Sequence, residues 1–85
     1  MDVTVTPAAK RPSWVQNLWD LADLLGRPLG CIIEDRDRQL YIDLNERGRA
    51  LMPKGNLGPH ASLDEAATEI EKHAHGVCRR VAEER

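Results

Sequence analysis

The chain has 85 residues, of which 41% are hydrophobic and 31% charged, a composition typical of one small globular domain and unlike that of a disordered chain. A domain of this length buries about 60–65% of its unfolded surface, which allows one core and no deep enclosed cleft. The net charge of −2 excludes a strong basic field of the kind that attracts nucleic acid or an anionic membrane.

Two features of the sequence bear on its location. No stretch approaches the roughly 20 consecutive apolar residues that a membrane-spanning helix needs, and the N-terminus lacks a signal-peptide pattern. The two cysteines, Cys31 and Cys78, are fewer than a secreted domain of this size usually pairs in disulfides. We therefore expect reduced thiols, a cytoplasmic location and no membrane partner.

The N-terminal residues 1–12 are polar and contain two prolines. This pattern predicts a flexible N-terminal tail that precedes a single α+β domain over residues 13–85. Val3 and Val5 alternate with threonines, so an edge strand is the alternative for this segment.

Residues 13–25 carry the pattern of a first helix. Their apolar residues at helical spacing are Trp14, Leu18, Leu21, Ala22 and Leu25. Ser13 and Gln16 form a capping box, which satisfies free amide groups at a helix start. Gly26 and Pro28 supply a stop signal, because glycine tolerates a left-handed cap and proline cannot continue a helix.

Residues 30–34 and 39–44 predict two antiparallel strands joined by the polar turn 35–38. The turn pairs Ile32 with Tyr41, and directly paired residues lie on the same face of a sheet. The face expected to turn toward the core carries Cys31, Ile33, Leu40, Ile42 and Leu44. The face expected to stay uncovered carries Ile32, Glu34, Gln39, Tyr41 and Asp43.

Residues 45–48 predict a turn, with Gly48 where a positive φ is expected. Residues 49–52 then predict a short third strand, which Pro53 ends. Two registers are open for this strand: one directs Met52 outward onto the uncovered face, and a glycine bulge directs it inward.

Residues 62–83 predict a second helix, with a capping box at Ser62 and Glu65 and a weak point at Gly76. Its apolar stripe comprises Leu63, Ala66, Ala67, Ile70, Ala74, Val77, Cys78 and Val81. An unbroken helix of this length spans about 33 Å, whereas five-residue strands reach about 17 Å. Its C-terminal end should therefore overhang the sheet.

Together these elements predict an α+β fold of two layers, in which a three-stranded antiparallel sheet packs against two helices in the order α-β-β-β-α. This order is the topology of the double-stranded RNA-binding domain, and the likeness is one of topology alone. Such domains hold RNA phosphates with lysines at the start of the last helix. Here residues 62–65 read Ser-Leu-Asp-Glu, which would repel phosphate.

The sequence contains no recognisable catalytic or metal centre, and we expect neither an enzyme nor a cofactor. His73 and His75 would point about 200° apart on a helix, so they cannot both face one ion, and a structural zinc needs four ligands. The carboxylates of residues 34–38 alternate with arginines, which is typical of a solvated turn. No serine or cysteine stands in a nucleophile motif.

The surface that we expect to take part in binding is the uncovered face of the sheet. Ile32 and Tyr41 would form its apolar centre, joined by Met52 in the first of the two registers, with Glu34 and Gln39 in a polar rim, which is the anatomy of a docking surface. The leading hypothesis is therefore a small regulator or inhibitor that docks on a larger protein, as phage-borne inhibitors and antitoxins do.

Two other surfaces are weighed against it. Val81 would continue the helical stripe beyond the sheet and pack against a second copy of the chain, giving a homodimer through the C-terminal helix. Arg36, Arg38, Arg47 and Arg49 would serve a nucleic-acid-binding module. The latter is less favoured, because the two hairpin ends lie at opposite ends of the middle strand.

Overall fold

Five strands and two helices make up the fold of the computed structural model, which describes residues 1–80. The elements are β1 (Val3–Pro7), β2 (Asn17–Asp23), β3 (Pro28–Glu34), β4 (Leu40–Leu44), α1 (Glu46–Leu51), α2 (Leu63–Ala74) and β5 (Cys78–Arg80). The strands lie side by side in the order β4-β3-β2-β1-β5, and only the β1–β5 pair is parallel. The α+β class is confirmed, whereas the three-stranded sheet in the order α-β-β-β-α is wrong.

The segment expected to form the first helix contains a strand inside this sheet. β2 pairs with β1 on one side and β3 on the other, and the Gln16 amide donates to the Glu34 carbonyl instead of capping a helix. Leu18 and Leu21, which a helix would place on one face, lie on opposite faces of the strand. The helical spacing is overridden because strand pairing on both edges satisfies the backbone and buries alternate side chains.

β1 occupies part of the segment expected to be a flexible tail. It lies inside the sheet between β2 and β5, and the side chains of Val3 and Val5 are almost completely buried. The tail prediction is therefore wrong for residues 3–7. The alternation of valine with threonine was the informative signal, because two buried valines stabilise a strand that the polar average of the segment conceals.

A buried carboxylate organises the turn between β2 and β3. Asp23 Oδ1 accepts hydrogen bonds from the amides of Leu25 (2.9 Å) and Arg27 (3.0 Å), and Asp23 Oδ2 accepts one from Arg27 Nε at 2.7 Å. Gly26, expected from the sequence to stop a helix, has φ +81° in this turn. Leu24 and Leu25 stand at the tip with 60% and 79% of their surface exposed.

The β3–β4 pairing differs from the expected register by one residue: Ile32 lies opposite Ile42, and Ile33 opposite Tyr41. The shift arises because the loop has three residues, closed by Asp35 and Gln39, and its last residue, Arg38, has φ +64°. An odd loop moves every side chain of β3 to the other face and leaves those of β4 on the expected faces.

The residues expected to form a turn and a third strand instead form α1. Asn45 caps this helix, since its Oδ1 accepts a hydrogen bond from the Gly48 amide at 2.9 Å. Gly48 serves close packing and not a positive φ: a Cβ there would meet the Leu29 carbonyl oxygen and lie 3.0 Å from Leu44 Cδ2. Helix α1 therefore needs glycine where its backbone rests on the sheet.

α2 begins at the expected cap, where Ser62 Oγ accepts a hydrogen bond from the Glu65 amide at 3.1 Å, but it ends at Ala74. His75 adopts a left-handed conformation, with φ 55° and ψ 41°, and terminates the helix. The 12 residues of α2 span about 18 Å, close to the length of a strand. The predicted overhang of a continuous helix is therefore wrong; Val81, on which the dimer was expected, lies outside the described residues.

Both helices pack on one face of the sheet, which we call the helix face. The core there consists of Val3, Val5, Leu21, Leu29, Ile32, Leu40, Ile42, Leu44, Met52, Ala66, Ile70 and Ala74. Trp19 packs against this core partly buried, whereas Trp14, which the helical spacing groups with the apolar residues of the predicted first helix, is exposed. The opposite face of the sheet has no helix from residues 1–80 packed on it.

Both edges of the sheet engage other parts of the chain. At the β4 edge, the Leu57 carbonyl accepts a hydrogen bond from the Ile42 amide at 2.8 Å, and His60 exchanges two backbone hydrogen bonds with Leu40. At the β5 edge, Glu71 Oε2 accepts the Cys78 amide at 2.7 Å. Such contacts protect strand edges from pairing with other chains.

The strand assignment of residues 17–23 predicts unequal effects for two leucines that a helix would treat alike. Leu21→Ala removes a buried side chain and should lower the free energy of unfolding by about 2–5 kcal/mol. Leu18→Ala acts on the uncovered face and should cost less than about 1 kcal/mol. Urea unfolding of both variants measures this; similar losses at the two positions would contradict the strand.

Gly48 gives a second test, because two effects have opposite signs there. Helix propensity alone favours alanine over glycine by about 1 kcal/mol. The contact with the Leu29 carbonyl predicts instead that Gly48→Ala lowers the free energy of unfolding by about 1–3 kcal/mol. Arg49→Ala, at an exposed position of the same helix, is the matched control and should change it by less than about 0.5 kcal/mol.

Carboxylates with lowered pKa values make the stability of this fold sensitive to acid. Hydrogen bonds from the Val77 amide and the Arg79 side chain lower the pKa of Asp2. A hydrogen bond from the Asn56 amide is the main cause that lowers the pKa of Glu69. Burial raises the pKa of Asp23 in the β2–β3 turn, but the hydrogen bonds that this carboxylate accepts outweigh burial, so its pKa is also lowered.

The pKa values of these carboxylates are lower in the folded chain than in the unfolded chain. The carboxylates therefore stabilise the fold at any pH above their unfolded-state pKa, and this stabilisation is lost as the pH falls through their folded-state pKa. We expect the free energy of unfolding to change little above about pH 5 and to fall as the pH drops below the ordinary carboxyl pKa of about 4. Denaturant unfolding over a pH series measures this. The double variant Asp2→Asn with Glu69→Gln should be less stable at pH 7 and show a shallower acid dependence; an unchanged dependence would exclude these two groups.

Candidate functional site

The face of the sheet opposite the helices has no helix or strand of residues 1–80 packed on it, and we call it the open face. The pairing registers place on it Thr4, Thr6, Leu18, Asp20, Ala22, Cys31, Ile33, Tyr41, Asp43 and Arg79. These side chains are partly or fully exposed. They fall into rows that cross the strands, because directly paired residues lie side by side.

An apolar row crosses the middle of the open face. Leu18 of β2 pairs with Ile33 of β3, and Ile33 pairs with Tyr41 of β4. Leu18 and Ile33 are half-buried, and Tyr41 is 39% exposed. Since neighbouring strands lie about 4.8 Å apart, the three side chains form a continuous strip about 10 Å long.

An acidic row runs beside the apolar row, two residues further along each strand. Cys31 lies between Asp20 of β2 and Asp43 of β4, which pair with it from either side. Burial raises the pKa of the Cys31 thiol, and the negative charges of Asp43 and Asp20 raise it further. Both carboxylates are exposed, and neither belongs to a salt bridge among residues 1–80.

The β1–β5 end of the open face is electrically balanced. Arg79 pairs across the strands with Thr4, and its guanidinium forms a 3.0 Å salt bridge with Asp2 Oδ2. The second oxygen, Asp2 Oδ1, accepts a hydrogen bond from the Val77 amide at 3.0 Å. The uncompensated negative charge of the face is therefore confined to the acidic row.

Of the residues expected to bind a partner, Tyr41 lies on the open face, whereas Ile32 and Met52 do not. Ile32 is completely buried and Met52 nearly so, because the one-residue register shift turns Ile32 to the helices and Met52 follows α1 instead of a strand. Glu34 pairs with Leu40 on the helix face. Gln39 lies in the β3–β4 turn, and Val81 lies outside the described residues.

Sequence reasoning missed two residues of the apolar row, Leu18 and Ile33. The helical spacing places Leu18 on the apolar side of a helix, and the expected register places Ile33 on the core side of the sheet. The available signal was the polar residue that separates the apolar positions of β2: Leu18, Asp20 and Ala22 alternate with Trp19 and Leu21, a period of two that indicates a strand.

The arginines considered for nucleic-acid binding do not form one cluster. Arg36 and Arg38 lie in the β3–β4 turn, where the Arg36 guanidinium donates to the Ser13 carbonyl at 2.6 Å. Arg47 and Arg49 lie in α1, beyond the other end of β4. A five-residue strand of about 17 Å separates the two pairs.

Further exposed apolar side chains lie around one end of the sheet. They are Leu24 and Leu25 at the β2–β3 tip, Met1 before β1 and Val77 before β5. Because β2, β1 and β5 are neighbours in the sheet, these residues stand at the same end of adjacent strands. They form a smaller second surface of exposed apolar groups.

The histidines and cysteines show structural roles. His73 Nε2 lies 3.0 Å from Glu69 Oε2, and His60 Nε2 lies 2.8 Å from the Asn56 carbonyl oxygen. Both cysteines are free. Within residues 1–80, no group of three His, Cys, Asp or Glu side chains is arranged so that it could hold a metal ion, and neither helix is long and apolar enough to cross a membrane.

No protein-family model, no curated protein and no solved structure matches this chain.

The thiols provide a test of the local environment. Burial, followed by the charge of Glu71, raises the pKa of Cys78 from an ordinary 9.0 to about 11, which is a difference of about two units. At pH 8 the folded chain should therefore hold about 100-fold less Cys78 thiolate than the unfolded chain, and iodoacetamide should alkylate it at least that much more slowly. Mass spectrometry after timed alkylation, with and without denaturant, measures both cysteines; rapid alkylation of folded Cys78 would contradict this environment.

Proposed function

We propose that this chain is a non-enzymatic interaction module, a small regulator or inhibitor that docks on a larger protein through the open face of its sheet. The observation that carries the proposal is the apolar row Leu18–Ile33–Tyr41, which no element of residues 1–80 covers. A partner that covered this row would remove partly exposed apolar surface from water, and such burial is the main favourable contribution to protein association.

The composition of the open face supports docking. Its apolar strip lies beside threonines and carboxylates, which resembles the apolar centre and polar rim of a protein–protein interface. Tyrosine is a frequent anchor at such interfaces, because its ring buries a large area and its hydroxyl group keeps a polar contact. Tyr41 stands at the end of the strip with its side chain accessible.

The protected edges of the sheet favour docking on the face over addition of a partner strand. Strand addition needs a row of free backbone groups at an edge. His60 occupies both backbone groups of Leu40, Leu57 accepts the Ile42 amide, and the Glu71 carboxylate accepts the Cys78 amide of β5, which leaves fewer edge groups for an added strand. A partner therefore meets side chains of the open face more readily than backbone groups.

The ionisable groups are shifted in directions that suit structure better than catalysis. A catalytic thiol needs a lowered pKa and a catalytic acid a raised one. Here the pKa values of Cys31 and Cys78 are raised, and those of the shifted carboxylates are lowered. Two free thiols also fit a reducing compartment such as the cytoplasm.

The alternative of nucleic-acid binding through arginines receives less support. A phosphate-binding surface needs several cations within reach of one backbone, and the four candidate arginines are divided between two ends of β4. The open face itself carries Asp20 and Asp43, which would repel phosphate. The nucleic-acid alternative would be favoured if the chain bound duplex RNA or DNA, if that binding weakened steeply with salt, and if charge reversal of Arg36 and Arg38 abolished it.

The test compares two exposed side chains in a partner-capture experiment with an extract of the source cells. Tyr41→Ala should abolish capture of a specific partner while changing the free energy of unfolding by less than about 0.5 kcal/mol. Leu57→Ala is the matched control, because Leu57 is 40% exposed, close to the 39% of Tyr41, and lies off the open face. It should leave capture unchanged.

Two results would sink the proposal. Loss of several kcal/mol of stability in Tyr41→Ala would show that this side chain is part of the core and not a docking group. The second result is capture that persists in the open-face variants but fails in Leu25→Ser, where the open-face variants are Tyr41→Ala, Leu18→Ala and Ile33→Thr. It would place the docking surface at the β2–β3 tip.

A further inference from the structure

The acidic row specifies the chemistry of the partner, and this inference rests on the proposed docking at the open face. Asp20 and Asp43 flank Cys31 within the face, beside the apolar row. A partner that covers the apolar row must also cover or approach these two carboxylates. Burying a carboxylate without a compensating cation is costly, so a partner surface that supplies positive charge is favoured over a neutral or acidic one.

No cation of this chain meets that need within the described residues. The arginine on the open face, Arg79, is already paired with Asp2. Arg27 and Arg80 pair with Asp23 and Asp64, away from the acidic row. The negative charge of the row is therefore available to a second molecule.

The same charges disfavour two other occupants. A second copy of the chain, docked face to face about an axis parallel to the strands, would bring its own acidic row over the first, and like charges at an interface are repelled. An axis along the apolar row would leave the two acidic rows about 14 Å apart, with no cation supplied to either row by the partner's apolar row. Nucleic acid would place phosphates over the carboxylates. A protein segment with positive charges remains as the occupant that both rows fit.

The spacing of the rows suits a helix. Three strands at about 4.8 Å intervals carry the apolar row, and an α-helix lying across them presents apolar side chains at i, i+3 or i+4 and i+7, at intervals of about 4.5–6 Å. The two carboxylates are two strands apart, about 10 Å. Two cations seven residues apart on one helix are separated by about 10.5 Å.

We infer that the open face binds a basic amphipathic helix of a partner protein, with apolar side chains on Leu18, Ile33 and Tyr41 and two cations on Asp20 and Asp43.

The test uses two synthetic amphipathic helices with the same leucine positions, one carrying lysines and the other glutamates at the remaining positions. Binding is followed by amide NMR shifts of the full chain. The leucine–lysine peptide should shift the amides of β2, β3 and β4, and the leucine–glutamate peptide should not. Raising the salt concentration should weaken the lysine complex, because screening reduces the charge pairs.

Charge variants identify the acidic row. Asp20→Asn with Asp43→Asn should weaken binding of the lysine peptide about tenfold or more, and both substitutions are nearly isosteric at exposed positions. Asp37→Asn with Glu46→Gln removes the same charge elsewhere and should leave affinity within about threefold. Asp20→Lys with Asp43→Lys should reverse the preference, so that the glutamate peptide binds more tightly than the lysine peptide.

The outcomes separate this inference from the proposed function. If the lysine peptide binds the open face equally well after the Asp-to-Asn changes, the charge requirement is wrong, while docking on the apolar row stands. Absence of any binding by the lysine peptide would overturn the basic helix as occupant. Shifts confined to the β2–β3 tip or to the helices would overturn the open face as the docking surface, and the proposed function with it.

Discussion

Ile32 lies directly between Trp19 and Ile42 in the sheet, and this alignment decides which side chains of β3 face the helices. Two turns set it. The Asp23 carboxylate holds the β2–β3 turn with three hydrogen bonds, and Asp35 Oδ1 holds the β3–β4 turn by accepting two backbone amides. A slip of one residue at either turn would bring Ile33 into the core and Ile32 onto the open face, because side chains alternate along a strand.

The rest of the chain closes the helix face and protects the edges of this sheet. α2 crosses the face between its two edges, contacting β4 and β5, and the loop before it covers the backbone of β4. Glu71 of the same helix accepts an amide of β5, so one helix contributes both to the core and to an edge. What residues 1–80 leave uncovered is the second face of the sheet, and its residues are therefore the natural candidates for contact with another molecule.

The open face combines groups that are usually kept apart. An apolar strip next to carboxylates that form no salt bridge within residues 1–80 is a poor site for nucleic acid, which would bring further negative charge to Asp20 and Asp43. It is a good template for a surface with apolar and basic groups. In the proposed docking, the charge of the acidic row therefore limits the class of partner.

The sequence by itself determined the α+β class, the strands near residues 30–34 and 40–44, the Ser62 cap of α2 and the exposed position of Tyr41. These depend on local signals: alternation, a capping side chain and a turn rich in charge. Only the tertiary structure decided that residues 17–23 pair as a strand between β1 and β3, and that Gly48 belongs to a helix packed on Leu29. It also decided that Ile33, and not Ile32, lies on the open face. This depends on a three-residue loop whose last residue, Arg38, has a positive φ, and an arginine in the sequence does not indicate a positive φ as a glycine would. Helical spacing in residues 14–25 and strand alternation in residues 18–22 coexist in one segment, and the choice between them depends on neighbouring strands that are distant in sequence.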